Sequence, residues 1–185
     1  MLQGYVKSKK KVHVINFSST QKSFFEIAKN KTQQKKISIK LDKPNLKKRI
    51  NFILSLINDF STEISIRFCD AEEMLTVNSQ FRHKQYATDV LSFPADLYSM
   101  QYANGSSLFL GDILICIPVC LNNAKKMKKT LSQELEKMLI HAIVHLKGFD
   151  HERSEADYKV MSALEKVLTK VMAQELGQPV WCTLL

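Results

Sequence analysis

From Pro44 onward the apolar positions fall into clear periods. Leu46, Ile50, Ile53, Leu54 and Ile57 recur at the spacing of one helix face. Pro44 suits the first turn of that helix, where its missing N–H costs no hydrogen bond. Ile64, Ile66 and Phe68 then alternate with Ser65 and Arg67, the period of a half-buried strand. Residues Ala71–Arg82 contain no glycine or proline and predict a helix. Val90-Leu91-Ser92-Phe93 is a short apolar strand stopped by Pro94. The stretch Ala95–Ser107 holds a turn signal at Asn104-Gly105. Leu108–Ile117 predicts a further strand, with Gly111 as a bulge or a point of close approach. Leu131, Leu135, Met138, Leu139, Ala142, Ile143 and Leu146 form one helical stripe, ended by Gly148. Ser154 caps a last helix with core positions Met161, Leu164, Leu168, Val171 and Met172, ended by Gly177 and Pro179.

Residues 1–43 are harder to read. Val12–Phe17 and Ile37–Leu41 each suit a short strand, and the pattern does not choose between them. Between them runs a Ser/Thr/Gln/Lys-rich segment, Ser18–Lys36, with one apolar island at Phe24-Phe25. The expected organisation is a basic segment over 1–43, flexible in part or adding an edge strand. A folded domain follows over 44–178, and a tail over 179–185. The expected fold is α/β with α+β character: a small mixed sheet covered by several helices, with a site at the end of a helix.

Composition narrows this picture. At 185 residues, 45% hydrophobic and 24% charged, the chain reads as one ordinary globular domain. No apolar run approaches the roughly 18 residues that span a bilayer. Met1–Asn16 lacks the apolar stretch of a secretory signal. Cys69, Cys116, Cys120 and Cys182 form no Cys-x-x-Cys pair and no disulfide framework, so a reducing, cytoplasmic setting is expected. Cys116 and Cys120 read as small apolar residues of the core. The net charge of +9 is uneven. Residues 1–50 hold 14 Lys/Arg against Glu26 and Asp42, a balance of +12, and the other 135 residues balance at −3. Such a block meets a polyanion or stays a solvated tail, and charge alone leaves both open.

The chemistry concentrates near the end of the second-to-last helix. His141 and His145 stand one turn apart on one face, at the edge of the apolar stripe. Gly148 ends the helix and lets the chain bring back His151. Three imidazoles at this spacing suit one zinc ion, with the fourth position left to water whose pKa falls to about 7. Asp150 adjoins the third imidazole and is placed to orient a ring through its second N–H. The plain alternative is a set of surface histidines, which suits one such residue better than three. The spacing also matches the zincin peptidase pattern H-E-x-x-H-x-x-G-x-x-H. Here, however, the general-base glutamate is replaced by Ala142.

The run His141-Ala142-Ile143-Val144-His145-Leu146-Lys147-Gly148-Phe149-Asp150-His151 resembles the YbeY family of bacterial metal-dependent endoribonucleases, or rRNA maturation factors. Its pattern there is close to H-G-x-L-H-L-x-G-Y-D-H. Thr88-Asp89-Val90-Leu91-Ser92-Phe93-Pro94 is similar to the family's T-[DN]-V-L-S-F-P, and Leu110-Gly111-Asp112-Ile113 to its L-G-D-I. Asn78-Ser79-Gln80-Phe81-Arg82 is similar to N-x-x-[YF]-R, and Met161 and Glu165 fall where the family often has Met and Glu. The likeness covers roughly residues 60–176, in the same order. Ala142 replaces the usual Gly, and Gln85 and Ala87 stand where an acid and a proline are common.

The resemblance implies a mixed sheet with helices and one zinc ion per chain on His141, His145 and His151. It implies Arg82 facing the metal and binding phosphate, where the residues alone would allow a plain helix-surface arginine. Asp89 and Asp112 are expected to cap turns or brace the sheet. The implied function is single-strand-directed, zinc-dependent RNA cleavage in small-subunit rRNA 3′-end maturation and ribosome quality control. The implied partners are rRNA, the small subunit and ribosome-assembly proteins, with no membrane. The alternative is an RNA-binding assembly factor with a structural metal. A zincin-like metallopeptidase comes third, disfavoured by Ala142.

Overall fold

The computed structural model describes residues 14–17, 24–27, 37–57, 62–95, 108–151 and 153–185. The expected turn at Asn104-Gly105 and nearly all of the lysine-rich block before residue 37 lie outside these. The elements are β1 (Val14–Phe17), β2 (Phe24–Ile27), β3 (Ile37–Leu41), α1 (Lys43–Leu56), β4 (Thr62–Cys69), α2 (Ala71–Arg82), β5 (Val90–Pro94), β6 (Leu108–Cys116), α3 (Ile117–Lys126), α4 (Leu131–Leu146), α5 (Glu155–Leu176) and β7 (Cys182–Leu184). Among the described residues five helices accompany two small sheets, so the fold is α+β. No helix among the described residues is long and apolar enough to cross a membrane.

The first sheet is mixed and runs β1-β4-β6-β5. β1 and β6 are parallel to β4, and β5 is antiparallel to β6. Both strands that the N-terminal pattern offered therefore form: β1 is an edge of this sheet, and β3 lies in the second. Pro94 does not stop β5 but belongs to it, paired opposite Gly111. An edge strand tolerates proline because one side of it needs no donors.

Gly111 plays both parts expected of it. The β4–β6 register slips between Glu63 and Ile64, and φ at Gly111 is +140°. A Cβ there would stand 2.1 Å from the Phe93 carbonyl oxygen and 3.0 Å from Leu146 Cδ2. Only glycine lets β5 and the end of α4 close on β6 together.

The second sheet, β2-β3-β7, is antiparallel throughout. All three of its strands lie outside residues 44–178, so the folded unit extends past both ends of that stretch. The segment 179–185, set apart as a tail in the sequence reading, packs into the fold. Trp181 is 1% exposed and its ring lies 6.5 Å from Phe68. The Ser132 hydroxyl donates to the Cys182 carbonyl and accepts from its N–H, each at 2.9 Å.

The main core joins Ile64, Ile66, Ile113 and Ile115 of the first sheet to the apolar faces of α1, α4 and α5. Its predicted stripes hold, with Leu46, Ile50, Ile53 and Leu54 buried on α1 and Met161, Leu168 and Met172 on α5. A second cluster, Cys69, Met74, Leu91, Leu114 and Cys116, seats α2 on the other face of the sheet. All four cysteines are free and buried. Burial pushes the Cys120 thiol up, and that of Cys182 to about 12, so they pack as neutral apolar groups.

Helix α3 was not read from the sequence. Ile117-Pro118 opens it directly after β6 with no intervening polar residue, so the apolar run hides the change of period.

Candidate metal centre and its cleft

Helix α4 begins with a capping box. Thr130 accepts from Gln133 N–H at 3.2 Å, and the Gln133 side chain accepts from Thr130 N–H at 2.9 Å. Almost all of the helix is then buried. The residues that escape are Gln133, Lys137, His141 and His145, four apart and therefore on one line. The two histidines are thus not spare surface residues. They end the one open line of an otherwise buried helix.

Beyond Leu146 the chain turns back. Gly148 takes φ of +90°, a conformation open to glycine, and its N–H donates to the His145 carbonyl at 2.9 Å. The return brings His151 to the α4 pair. One ligand atom from each of His141, His145 and His151 can be chosen so that all lie within 4.8 Å of one another. His145 Nε2 and His151 Nδ1 are 3.0 Å apart. Imidazole nitrogens bound tetrahedrally to zinc stand about 3.3 Å apart, a spacing that falls within the range of these separations.

The donor set has the right chemistry for a divalent metal. All three histidines are half-buried. His145 is held below its usual pKa, first by burial and then by the neighbouring imidazoles, which favours the neutral ring a metal requires. His141 Nδ1 donates to Glu165 Oε1 of α5 at 2.7 Å, leaving Nε2 for an ion. Three donors facing an open cleft fit a metal with a free coordination position. Among the described residues no other cluster of His, Cys, Asp or Glu has this geometry.

The carboxylate on His141 is that of Glu165, a residue the sequence marked only by its resemblance. Its signal is weak because it lies 24 residues from His141 on another helix. Asp150 lines the cleft and accepts from Arg153 Nε at 3.1 Å.

The cleft has a volume of about 730 Å³. One wall is the end of α4 with the return loop, and another is the end of α2 with the following loop and β5. Arg82, the last residue of α2, lines it together with the three histidines, and one of its Nη atoms donates to the Ser92 carbonyl at 3.4 Å. Arg82 and the histidines, 59 residues apart at the nearest, thus line one cavity. Asp89 also borders the cleft, but its oxygens are engaged in bracing. Its carboxylate accepts from Val90 N–H at 3.0 Å and Asn123 Nδ2 at 3.3 Å, and its carbonyl from Cys116 N–H at 2.8 Å. Those bonds tie the start of β5 to α3. Asp112 is exposed on β6 opposite Phe93 and is not among the residues lining the cleft.

Comparison with known proteins gives consistent likenesses. A family model described as Endoribonuclease YbeY matches residues 27–173. A protein named Endoribonuclease YbeY from Acinetobacter baumannii is 38% identical over 135 residues, 72% of this chain and 85% of that relative. One of the same name from a Sulfurihydrogenibium species is 36% identical over 154 residues, 79% of this chain and 99% of the relative. A Thermotoga maritima protein of known solution structure aligns over 88% of this chain and 91% of its own, with a TM-score of 0.54 and 23% identity. That last likeness concerns the fold alone.

Proposed function

The chain belongs to the YbeY family of endoribonucleases, enzymes that hydrolyse RNA phosphodiester bonds, and on that premise we propose that it cuts single-stranded RNA at a zinc ion held by His141, His145 and His151. The observation that carries this is the convergence of three imidazole ligand atoms within 4.8 Å of one another, in a cleft that also contains Arg82. When bound, zinc supplies Lewis-acid polarisation of a phosphoryl oxygen and lowers the pKa of water.

The chain's own residues do the rest. Glu165 holds His141 in the tautomer that leaves Nε2 unprotonated. Arg82 grips the phosphate with its planar fork and offsets the charge that develops during cleavage. Lys84 and Arg153, also on the cleft, attract the flanking phosphates. Asp89 keeps β5 in place beneath them. Position 142 offers no base for peptide hydrolysis: Ala142 is 1% exposed, behind the histidine line. The RNA in this reading is ribosomal, at the 3′ end of the small-subunit rRNA. Its partners are ribosome-assembly proteins, its setting is the cytoplasm, and it takes part in ribosome quality control. The resemblance of the four sequence motifs supports that assignment.

The test is a parallel measurement of zinc content and single-turnover cleavage of labelled RNA. The wild type is expected to hold about one zinc and to cut. His145→Ala should lose zinc and cleavage together. Arg82→Ala should keep its zinc, because a guanidinium cation is no ligand. Its rate should fall about 30- to 1000-fold, or about 2–4 kcal/mol of lost transition-state stabilisation. Arg82→Lys should not restore the rate, since it lacks the fork. If zinc-free His145→Ala cuts as well as wild type, the assignment fails. If wild type holds zinc and binds RNA yet yields no fragments, the RNA-binding alternative with a structural metal stands instead.

A further inference from the structure

Two aromatic rings on the cleft belong to neither apolar cluster of the described residues. Tyr86 is 59% exposed and Phe149 is 40% exposed, although rings of this size are mostly covered in folded proteins. Both line the cavity that contains the histidines and Arg82. Neither has an aromatic partner among the described residues. Phe81, equally exposed, does have one, an edge contact with Phe93 at 5.3 Å.

Loose backbone does not account for their exposure. The Tyr86 carbonyl accepts from Asn78 Nδ2 at 2.7 Å, and Asn78 is itself 2% exposed. The Lys84 N–H donates to the Asn78 carbonyl at 3.3 Å, and the Ser79 hydroxyl donates to the Lys84 carbonyl at 3.1 Å. His83 begins this loop in the left-handed region, at φ +56°. The loop is therefore stitched to α2 by its polar groups while the tyrosine ring is left in solvent. Phe149 sits between His145 and His151 in the chain, and its N–H reaches the Val144 carbonyl at 3.4 Å. The backbone holds both rings at the site.

We infer that Tyr86 and Phe149 form a base-stacking subsite at the mouth of the cleft, which accepts unpaired nucleobases on either side of the bond to be cut. This rests on the RNA-cleavage reading above and specifies how the substrate is selected. Exposed aromatic faces beside Arg82, Lys84 and Arg153 combine the two features single-stranded nucleic acid requires: π-surfaces for bases and cations for phosphates. An apolar ligand would gain nothing from the cations. A duplex keeps its bases stacked on each other and has no free face to offer, so the subsite selects single strands.

The test uses full-length, zinc-loaded protein and an RNA strand carrying 2-aminopurine, whose fluorescence falls when it stacks. It is read by stopped flow before cleavage, beside a cleavage assay on the same strand. Tyr86→Leu and Phe149→Leu keep an apolar side chain but remove the ring, and at exposed positions they should leave the circular dichroism spectrum unchanged. Wild type is expected to quench the probe. Each Leu variant should quench less and need about 5- to 150-fold more RNA for half-saturation. Tyr86→Phe should behave as wild type. The annealed duplex should bind wild type and the Leu variants alike. Equal quenching and equal half-saturation in wild type and both Leu variants would overturn the subsite. So would a Tyr86→Phe protein as weak as Tyr86→Leu, because the hydroxyl rather than the ring would then be at work. Wild type that quenches the probe but never cuts overturns the nuclease reading and leaves the subsite standing.

Discussion

The Glu165 carboxylate lies 2.7 Å from His141 Nδ1 and accepts that ring's N–H, so the tautomer of the first proposed ligand is decided from a different helix. A glutamine at 165 keeps the length and an acceptor oxygen but loses the charge. Glu165→Gln is expected to weaken zinc binding about 10- to 100-fold with the fold intact. Competition against a chromophoric chelator measures this, and unchanged affinity would remove Glu165 from the metal centre. The histidines could be read in advance because their spacing is local: four residues on a helix, then a glycine and a short return. Glu165 could not, because nothing in the order of residues states that α5 crosses α4 at that point. Asp150 drew attention by standing beside His151 in the chain, yet the carboxylate on His141 comes from 24 residues away.

Helix α4 organises the site because it is buried on all sides but one. Its hold on the neighbouring helices includes one ionic clamp. Arg49 of α1, 2% exposed, pairs through Nε and Nη2 with Glu136 of α4, 6% exposed. The same guanidinium donates to the Leu176 carbonyl at 3.2 Å and the Gly177 carbonyl at 3.0 Å. These are orphan acceptors at the end of α5, where a cation is favoured. Arg49→Met strands a buried carboxylate and is expected to cost about 3–5 kcal/mol of folding stability, read by urea denaturation. Arg49→Met with Glu136→Leu should recover part of that loss, because no unpaired charge remains. A single variant as stable as wild type would show that the clamp carries no weight. In the sequence Arg49 looked like one more cation of the basic N-terminal block. The helices themselves were legible where apolar residues kept a 3.6 period. Helix α3 was not, because the strand before it runs into it through apolar residues and Pro118.

At the scale of the whole molecule, the C-terminal strand returns to β3, next to the start of α1. β3 pairs with β7, Asp42 N–H donates to the Trp181 carbonyl at 2.8 Å, and Leu185 N–H donates to the Ser38 carbonyl at 2.9 Å. Trp181 closes the core against Phe68. Removing residues 179–185 should therefore act as a core deletion rather than the trimming of a tail. Loss of the buried indole alone is expected to cost about 3–5 kcal/mol, seen as a lower thermal midpoint. A truncated chain that melts with the full-length protein would return 179–185 to the status of a tail. The seven residues contain little that predicts this. Their one strand is three residues long, and a lone Trp near a terminus has no periodicity.

The sequence by itself determined the helices that carry a clean stripe, the strands that alternate, and the histidine triplet at the edge of its helix's apolar stripe. All of these depend on neighbours within about a dozen residues, so the order of residues contains the information. The motifs beside them were sufficient to indicate the family. The tertiary structure decided what rests on distant pairs. It joined Glu165 to His141 and Arg49 to Glu136, put Arg82 on the histidines' cleft, and bonded Asp89 to Val90, Cys116 and Asn123. It also left Tyr86 and Phe149 uncovered. Exposure and long-range pairing come from how the elements close on one another, and no period along the chain records that.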